Sequence, residues 1–270
     1  MQMAFASFPY LSCILLSCVV GLLIILFLPR HRKQEIKWVS AVFSGIPLAL
    51  SLYLFLAYDK STGGLQFVEK IIWVKSLGIT YFNAADGFNL PNLLLTGIVF
   101  FTGVLTMWEM QKRVKEFYAL YFFLVTGVFG LFMSMDLFFI FVWYDVSLFP
   151  MYLLIVVWGT TRKEYAAMKL TLYLLAGSAL ILPAIVYLFV KSGMNTFDIV
   201  TLMQPGTFTV EEQKFAFILL FIGFGILAAV WPFHTWSPVG HVAAPHAVSM
   251  VHAGVLMKIG AFGVLRVAIF

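Results

Sequence analysis

The stretch LFFIFVWYDVSLFPMYLLIVVWG, residues 137–159, decides how the rest of the chain is read. A helix of about 20 apolar residues crosses the roughly 30 Å hydrocarbon core of a bilayer, and this run is long enough to do so. It nevertheless carries a carboxylate, Asp145, near its middle. An ionised acid at that depth costs about 2.5–3.5 kcal/mol on insertion scales, so a chain that keeps one has a use for it. Five residues on, Pro150 removes its own backbone N–H and disturbs the carbonyl of Val146, next to the acid. Such a freed acceptor survives in hydrocarbon only where protein or water re-satisfies it. Water beside a titratable acid suits proton movement.

The whole chain has the same character. Of its 270 residues 62% are hydrophobic and only 11% charged, and its mean hydropathy is +0.99. Soluble domains carry about 25% charged residues, so the composition predicts an all-α, polytopic membrane bundle in contact with lipid. The net charge of +5 lies in short loops beside apolar spans, with no basic stripe or tail, which argues against nucleic acid. Cys13 and Cys18 both fall in the first apolar run, leaving neither a disulfide framework nor a thiol–metal spacing. That run has no positive residue before it and Arg30, Arg32 and Lys33 after it. A cleaved signal has the reverse order, so the reading is a retained span with the N-terminus outside.

About eight spans are expected, near 8–28, 38–57, 88–108, 117–134, 137–158, 167–190, 214–233 and 244–268. The fourth and fifth are divided only by Ser134–Asp136, which reads as a tight turn. The clusters Arg30–Lys37, Lys112–Lys115 and Arg162–Lys163 sit in short connections and assign those to the cytoplasmic side. The long connection near 58–87 carries charges of both signs and reads as an outer loop lying across the bundle.

Few ionisable residues fall within spans, and such residues face a bundle interior or cavity and mark ion pathways. They are Asp145, Lys258, Lys169, His246 and His252. Lys169 stands close enough to a membrane face for its stem to snorkel to the headgroups, and both readings of it stay open. The seventh span ends in AAVWPFHTWSPVGHVAAPHAV, where Pro232, Pro238 and Pro245 interrupt the apolar run, with His234 and His241 between them. That pattern predicts a discontinuous helix whose unwound backbone lines a polar cavity. The histidine spacings match no zinc signature. Imidazoles that titrate near pH 6.5 fit a proton path better.

The strings VWYDVSLFPMYLLIVVWG, TRKEYAAMKLTLYLLAGSAL and FGILAAVWPFHTWSPVGHVAAPHAVSMVHAGVLMKIGAFGVLR, with AADGFNLPNLLLTGIV upstream, resemble the antiporter-like subunit M of bacterial NADH:quinone oxidoreductase. This is the counterpart of mitochondrial subunit 4 in respiratory complex I. The resemblance implies the first half of a fourteen-helix fold made of two inverted five-helix repeats. Residues 1–115 would hold three leading helices with the outer loop, and 116–270 the first repeat. It also implies that the chain, ending in VLRVAIF, is an N-terminal portion of a longer protein.

Carried over by residue, Asp145 takes the place of the family's helix-five glutamate, Lys258 of a helix-eight lysine and Lys169 of a helix-six lysine. The family's helix-seven lysine, the expected partner of the acid, is Leu227 here, and an aspartate of the following stretch is Val239. His246 and His252 stand where the family has threonine and leucine. The resemblance thus implies a non-redox subunit of a proton-translocating NADH:quinone oxidoreductase in the bacterial inner membrane. Its proton-transfer candidates are Asp145, Lys258, Lys169, His252, His246 and His234. It would bind no cofactor and no metal itself. NADH, FMN, iron–sulfur clusters and quinone would belong to partner subunits of the assembly. The alternatives are a subunit of a multi-protein cation/proton antiporter, an energy-converting hydrogenase membrane arm, and a structural spacer with a closed channel, which Leu227 and Val239 favour.

Overall fold

A computed structural model of the chain describes residues 4–5 and 8–268. Both chain ends, Met1 at the N-terminus expected outside and Phe270 at the expected break of a longer protein, lie outside the described residues. Eight rods traverse the fold: α1 Tyr10–Phe27, α2 Lys33–Ala57, α3 Leu90–Thr106, α4 Val114–Met133, α5 Leu137–Trp158 and α6 Lys163–Ser192, then, after a short α7 (Ile199–Leu202), α8 Val210–Leu227. The short α9 (Trp236–Ala243) continues the broken α8, and α10, His246–Ala268, completes the set. Six of the rods are long and apolar enough to cross a membrane by length and composition. The exceptions are α3, with 17 residues, and α8, whose first turn and a half carries Glu211, Glu212 and Lys214.

The rods form where expected, with two refinements. The seventh span stops at Leu227 rather than 233, because Pro232 and the turns around it cannot continue an α-helix. The connection near 58–87, expected as an outer loop, is more than a loop. It folds as a hairpin of β2 (Gln66–Val74) and β3 (Ile79–Ala85), antiparallel with Ile71 opposite Tyr81, and β1 (Ala4–Phe5) pairs along β2. The strand propensity of FVEKIIWV, dense in β-branched and aromatic residues, favours this.

In the bundle α4 is the central rod. Of its membrane-length window 83% is buried, against 28% to 50% for the other five long spans. The basic connections gather at one end, where Arg30 pairs with Glu116 at 2.9 Å, Lys33 Nζ donates to the Gln111 carbonyl and Trp158 Nε1 to the Lys112 carbonyl. The hairpin closes the opposite end.

Buried carboxylates attach it there. Glu69 of β2 accepts from the backbone N–H groups of Leu11 and Ser12 at 2.8 and 2.9 Å, and from the Ser12 hydroxyl. Asp136 caps α5 through Phe138 and Phe139 N–H and takes Thr80 N–H of β3 at 3.0 Å. Asp198 caps α7 and holds Lys70 of β2 at 2.7 Å. Each acid satisfies helix N–H groups that have no partner within the helix, and its charge complements the positive end of the helix dipole. At the same end Arg266, late in α10, pairs with Asp86 just before α3 at 2.5 Å.

Burial, with the neighbouring Asp198 charge adding to it, pushes the Asp136 carboxyl up to about 6 despite its three backbone hydrogen bonds. Because this lies above the ordinary carboxyl value, the contribution of Asp136 to stability is full below about pH 4 and is lost as pH rises through about 6. Asp136→Ala should remove that component and cost about 1–2 kcal/mol of capping. Thermal unfolding of the purified assembly at pH 5 and pH 7.5 checks both: the wild type should lose more stability between the two than the variant.

Candidate proton-transfer site

Two side-chain groups on the interior rods carry the site. The first sits where α5, α6 and α8 meet. Tyr144 is fully buried and donates its hydroxyl to the Leu174 carbonyl at 2.9 Å, fixing the α5–α6 register. The next residue, Asp145, is half-buried and accepts from the Ser178 hydroxyl of α6 at 2.8 Å. α8 approaches α6 closely through Gly177 and Gly223. A Cβ on Gly177 would stand 2.8 Å from the Gly223 carbonyl, and one on Gly223 would stand 2.6 Å from Ile181. Small residues are what allow helices in lipid to approach this closely. Pro150 lies buried within α5, which continues through it to Trp158.

The second group forms at the break. α8 ends at Leu227, which is 1% exposed. Trp236, first residue of α9, donates its indole N–H to the Ile226 carbonyl at 3.0 Å, re-satisfying an acceptor freed by the helix end. Trp236 also stacks on His252 at 5.1 Å between ring centroids, and His241 stacks on the other histidine ring at 4.1 Å. His241 Nδ1 lies 3.0 Å from the Ser249 hydroxyl. His252 is wholly buried, and among the described residues neither of its ring nitrogens has a partner. It opens a turn of π-helix, His252–Leu256, within α10, a distortion frequent at functional sites. Beside this group a cleft of about 300 Å³ is lined by Trp158, Thr160, His241, His246 and Ser249, among others. Trp158 and Thr160 flank the α5–α6 connection, so the cleft lies towards the basic end of the bundle.

The residues singled out from the sequence are distributed unevenly over these groups. Asp145 and His252 sit inside them. His246 is exposed but lines the cleft. His234 is exposed in the 3₁₀ turn Phe233–Thr235 and meets neither group. Lys169 is half-buried, and it precedes Ser178 by nine residues. At about 100° per residue that puts it on the opposite face of α6 from the acid's partner. Lys258 is exposed, and its ammonium donates to the Gly254 carbonyl of its own helix at 2.5 Å. Among the described residues no three His, Cys, Asp or Glu side chains converge as a metal-ligand set. Ser178 and His241 are the residues that sequence reasoning did not select. Ser178 looks like any helix serine, and the pairing of His241 with His252 depends on how α9 folds back on α10.

Residues 134–270 match the family model described as NADH:quinone oxidoreductase/Mrp antiporter, transmembrane. The chain is 35% identical over 267 residues to NAD(P)H-quinone oxidoreductase chain 4 2 of Trichodesmium erythraeum, covering 96% of this chain and 46% of that one. To chain 4-2 of Synechocystis it is 33% identical over 260 residues, with the same coverages. It spans about half the length of the curated relatives it matches. Among solved structures it is similar to a chain of respiratory complex I from Thermus thermophilus, with a TM-score of 0.83 at 26% identity over 96% of this chain and 52% of that one. The fold alone is shared with a chain of the archaeal membrane-bound sulfane sulfur reductase, with a TM-score of 0.79 at 22% identity over 97% and 41% of the two chains.

The unpartnered nitrogens of His252 set a stability expectation. His252→Phe keeps a ring between Trp236 and His241 and removes buried polar atoms whose desolvation costs about 1–3 kcal/mol. The variant should melt no lower than the wild type. His252→Ala leaves a cavity and should lose about 2–4 kcal/mol. Thermal unfolding of the three purified forms side by side tests the ranking.

Proposed function

Because the chain belongs to the NADH:quinone oxidoreductase/Mrp antiporter transmembrane family, we propose that it is a membrane-arm subunit of a proton-pumping NADH:quinone oxidoreductase. In this reading it forms a proton half-channel in the bacterial inner membrane. The basic connections face the cytoplasm, and the N-terminus and hairpin face outwards. Electron transfer belongs to partner subunits that hold FMN, iron–sulfur clusters and the quinone site. The chain's two cysteines supply no cluster ligand set, since Cys18 is buried in α1 and Cys13 lies half-buried in the same helix.

The observation that carries the reading is the break between α8 and α9 with a wholly buried, unpaired imidazole packed against it. A broken helix in a membrane leaves backbone groups that only protein or water can satisfy. The stacked His241–His252 pair can hold one proton at a time, because two charged rings about 4 Å apart repel by about 4 kcal/mol at an effective dielectric of 20. The cleft beside it opens towards the cytoplasmic end and provides for loading. Asp145 lies deeper along the bundle, bonded across to α6. Charge on Asp145 favours a proton on the histidines, and its neutralisation favours release. In this chain the histidine pair stands in for the base missing at Leu227. Lys258, on the exposed side of α10, would hand protons onward to whatever covers that face. Lys169 and His234 are given no part in the transfer.

The spacer reading has Val239 and the buried Leu227 in its favour, the latter where the resemblance places a lysine. Asp145→Asn decides between the two. In an assembled complex with normal quinone reduction it should lower protons pumped per electron by about half or more, since positioned proton-transfer groups contribute about 10²–10⁴-fold in rate. His252→Phe should do the same. Unchanged pumping in both variants would favour the spacer. Mass spectrometry of the native assembly tests the partners: flavin- and iron–sulfur-bearing NADH dehydrogenase chains are expected, and hydrogenase or small antiporter chains would reassign the complex.

A further inference from the structure

Most serine and threonine hydroxyls buried in these helices follow one rule; Ser237 of α9, which donates to Met257 Sδ, departs from it, and so does α6. Ser40, Ser44, Thr96, Thr126 and Ser147 all donate to a carbonyl three or four residues earlier in their own helix. That is the ordinary way for a hydroxyl to stay satisfied without water. On α6 two hydroxyls break the rule. Ser178, 6% exposed, sends its proton across to Asp145 instead. Thr171 has a buried hydroxyl with no partner among the described residues.

The two are seven residues apart. At about 100° per residue they therefore lie within about 20° of one another around the helix, roughly 10 Å apart along it. Thr171 is the nearer to the start of α6, so it stands towards the basic end. Leu174, between them, receives the Tyr144 hydroxyl, so this face of α6 is the one turned to α5. Lys169 lies on the other side.

Resting on the half-channel reading above, we propose that the proton which neutralises Asp145 arrives along the α5–α6 seam, through water held between the Thr171 and Ser178 hydroxyls. Thr171 anchors the far end of that water file. Ser178 is both the positioning residue for the carboxylate and the last carrier. As the adjacent water, taking a proton from the file behind it that is fed from the basic end, gives one to Ser178 Oγ, the hydroxyl's own proton passes to Asp145 Oδ1; the water and the hydroxyl are both regenerated. A serine in this place can act in both senses because it has one proton to give and lone pairs to receive one. An apolar residue could not.

The test uses the full assembly in sealed vesicles, with pumping measured per electron transferred. Thr171→Val, which keeps shape and removes the hydroxyl, and Ser178→Ala should both fall to the level of Asp145→Asn, whereas Thr171→Ser and Ser178→Thr should pump. Infrared difference spectroscopy adds a readout that a purely structural role would not move. The Asp145 carboxyl band, identified by its loss in Asp145→Asn, should shift in Ser178→Ala, return in Ser178→Thr and stay in place in Thr171→Val. Wild-type pumping in Thr171→Val and Ser178→Ala, with Asp145→Asn impaired, overturns this route and leaves the half-channel intact. Wild-type pumping in Asp145→Asn overturns the half-channel reading itself. If Ser178→Ala fails to assemble, the Thr171→Val arm decides alone.

Discussion

A polar group sealed in hydrocarbon must find its partner inside the chain, and the structure is organised around that demand. With no water to accept an N–H or donate to a carbonyl, an unmet group costs several kcal/mol. The hairpin end meets the demand with acids: Glu69, Asp136 and Asp198 each place oxygens on helix-terminal N–H groups. The helix interiors meet it with hydroxyls folded back on their own backbone. Where α8 breaks, an indole N–H from Trp236 takes over a carbonyl. Against so complete an arrangement, the groups left outside it stand out: His252, Thr171 and an acid served by a cross-helix serine. These three lie around α5, α6 and the break; the other buried polar side-chain atoms without a partner among the described residues belong to Asn83, Trp143 and Arg266.

The electrostatic design differs from the one the resemblance implied. There, an acid on the fifth helix would face a lysine on the seventh. Here Leu227 is buried, and the imidazoles of His241 and His252 stack on one another on α9 and α10. Two neutral imidazoles are easier to bury than an ammonium ion, because they carry charge only while loaded. The arrangement thereby avoids a permanent cation in the core. It gives up the constant attraction that a lysine would exert on Asp145, and leaves the Ser178 hydroxyl as the acid's partner.

How much of this was legible in the sequence follows from what each feature depends on. The rods were readable because length and apolar composition alone determine them, and Pro232 and Pro238 announced the break. Asp145 stood out because a carboxylate amid VWY and VSLF is costly within an apolar run, whether its partner is a helix–helix hydrogen bond or a proton path. The hairpin was missed because its strand signal lies in a stretch whose mixed charges read as loop. Glu69 and Lys70 are in fact buried or ion-paired partners of distant helices. Ser178 and His241 were illegible for a different reason: their meaning lies in contacts 33 and 11 residues away, set by how helices cross. Lys258, expected in the interior, faces outwards because nothing among the described residues covers that side of α10.

The hairpin has a mechanical consequence. Its strands join the first turns of α1, α5 and α7 through Glu69, Thr80 and Lys70, and Arg266 ties the end of α10 to the start of α3. One end of the bundle is therefore stiff. At the other end the connections are held by a few solvent-facing contacts such as Arg30–Glu116, whose arginine is 80% exposed, and such pairs contribute little. A bundle pinned at one end and loose at the other tilts like a set of levers about the pinned end. A small rotation of α6 there becomes its largest displacement towards the cleft beside His241, and its smallest at the hairpin.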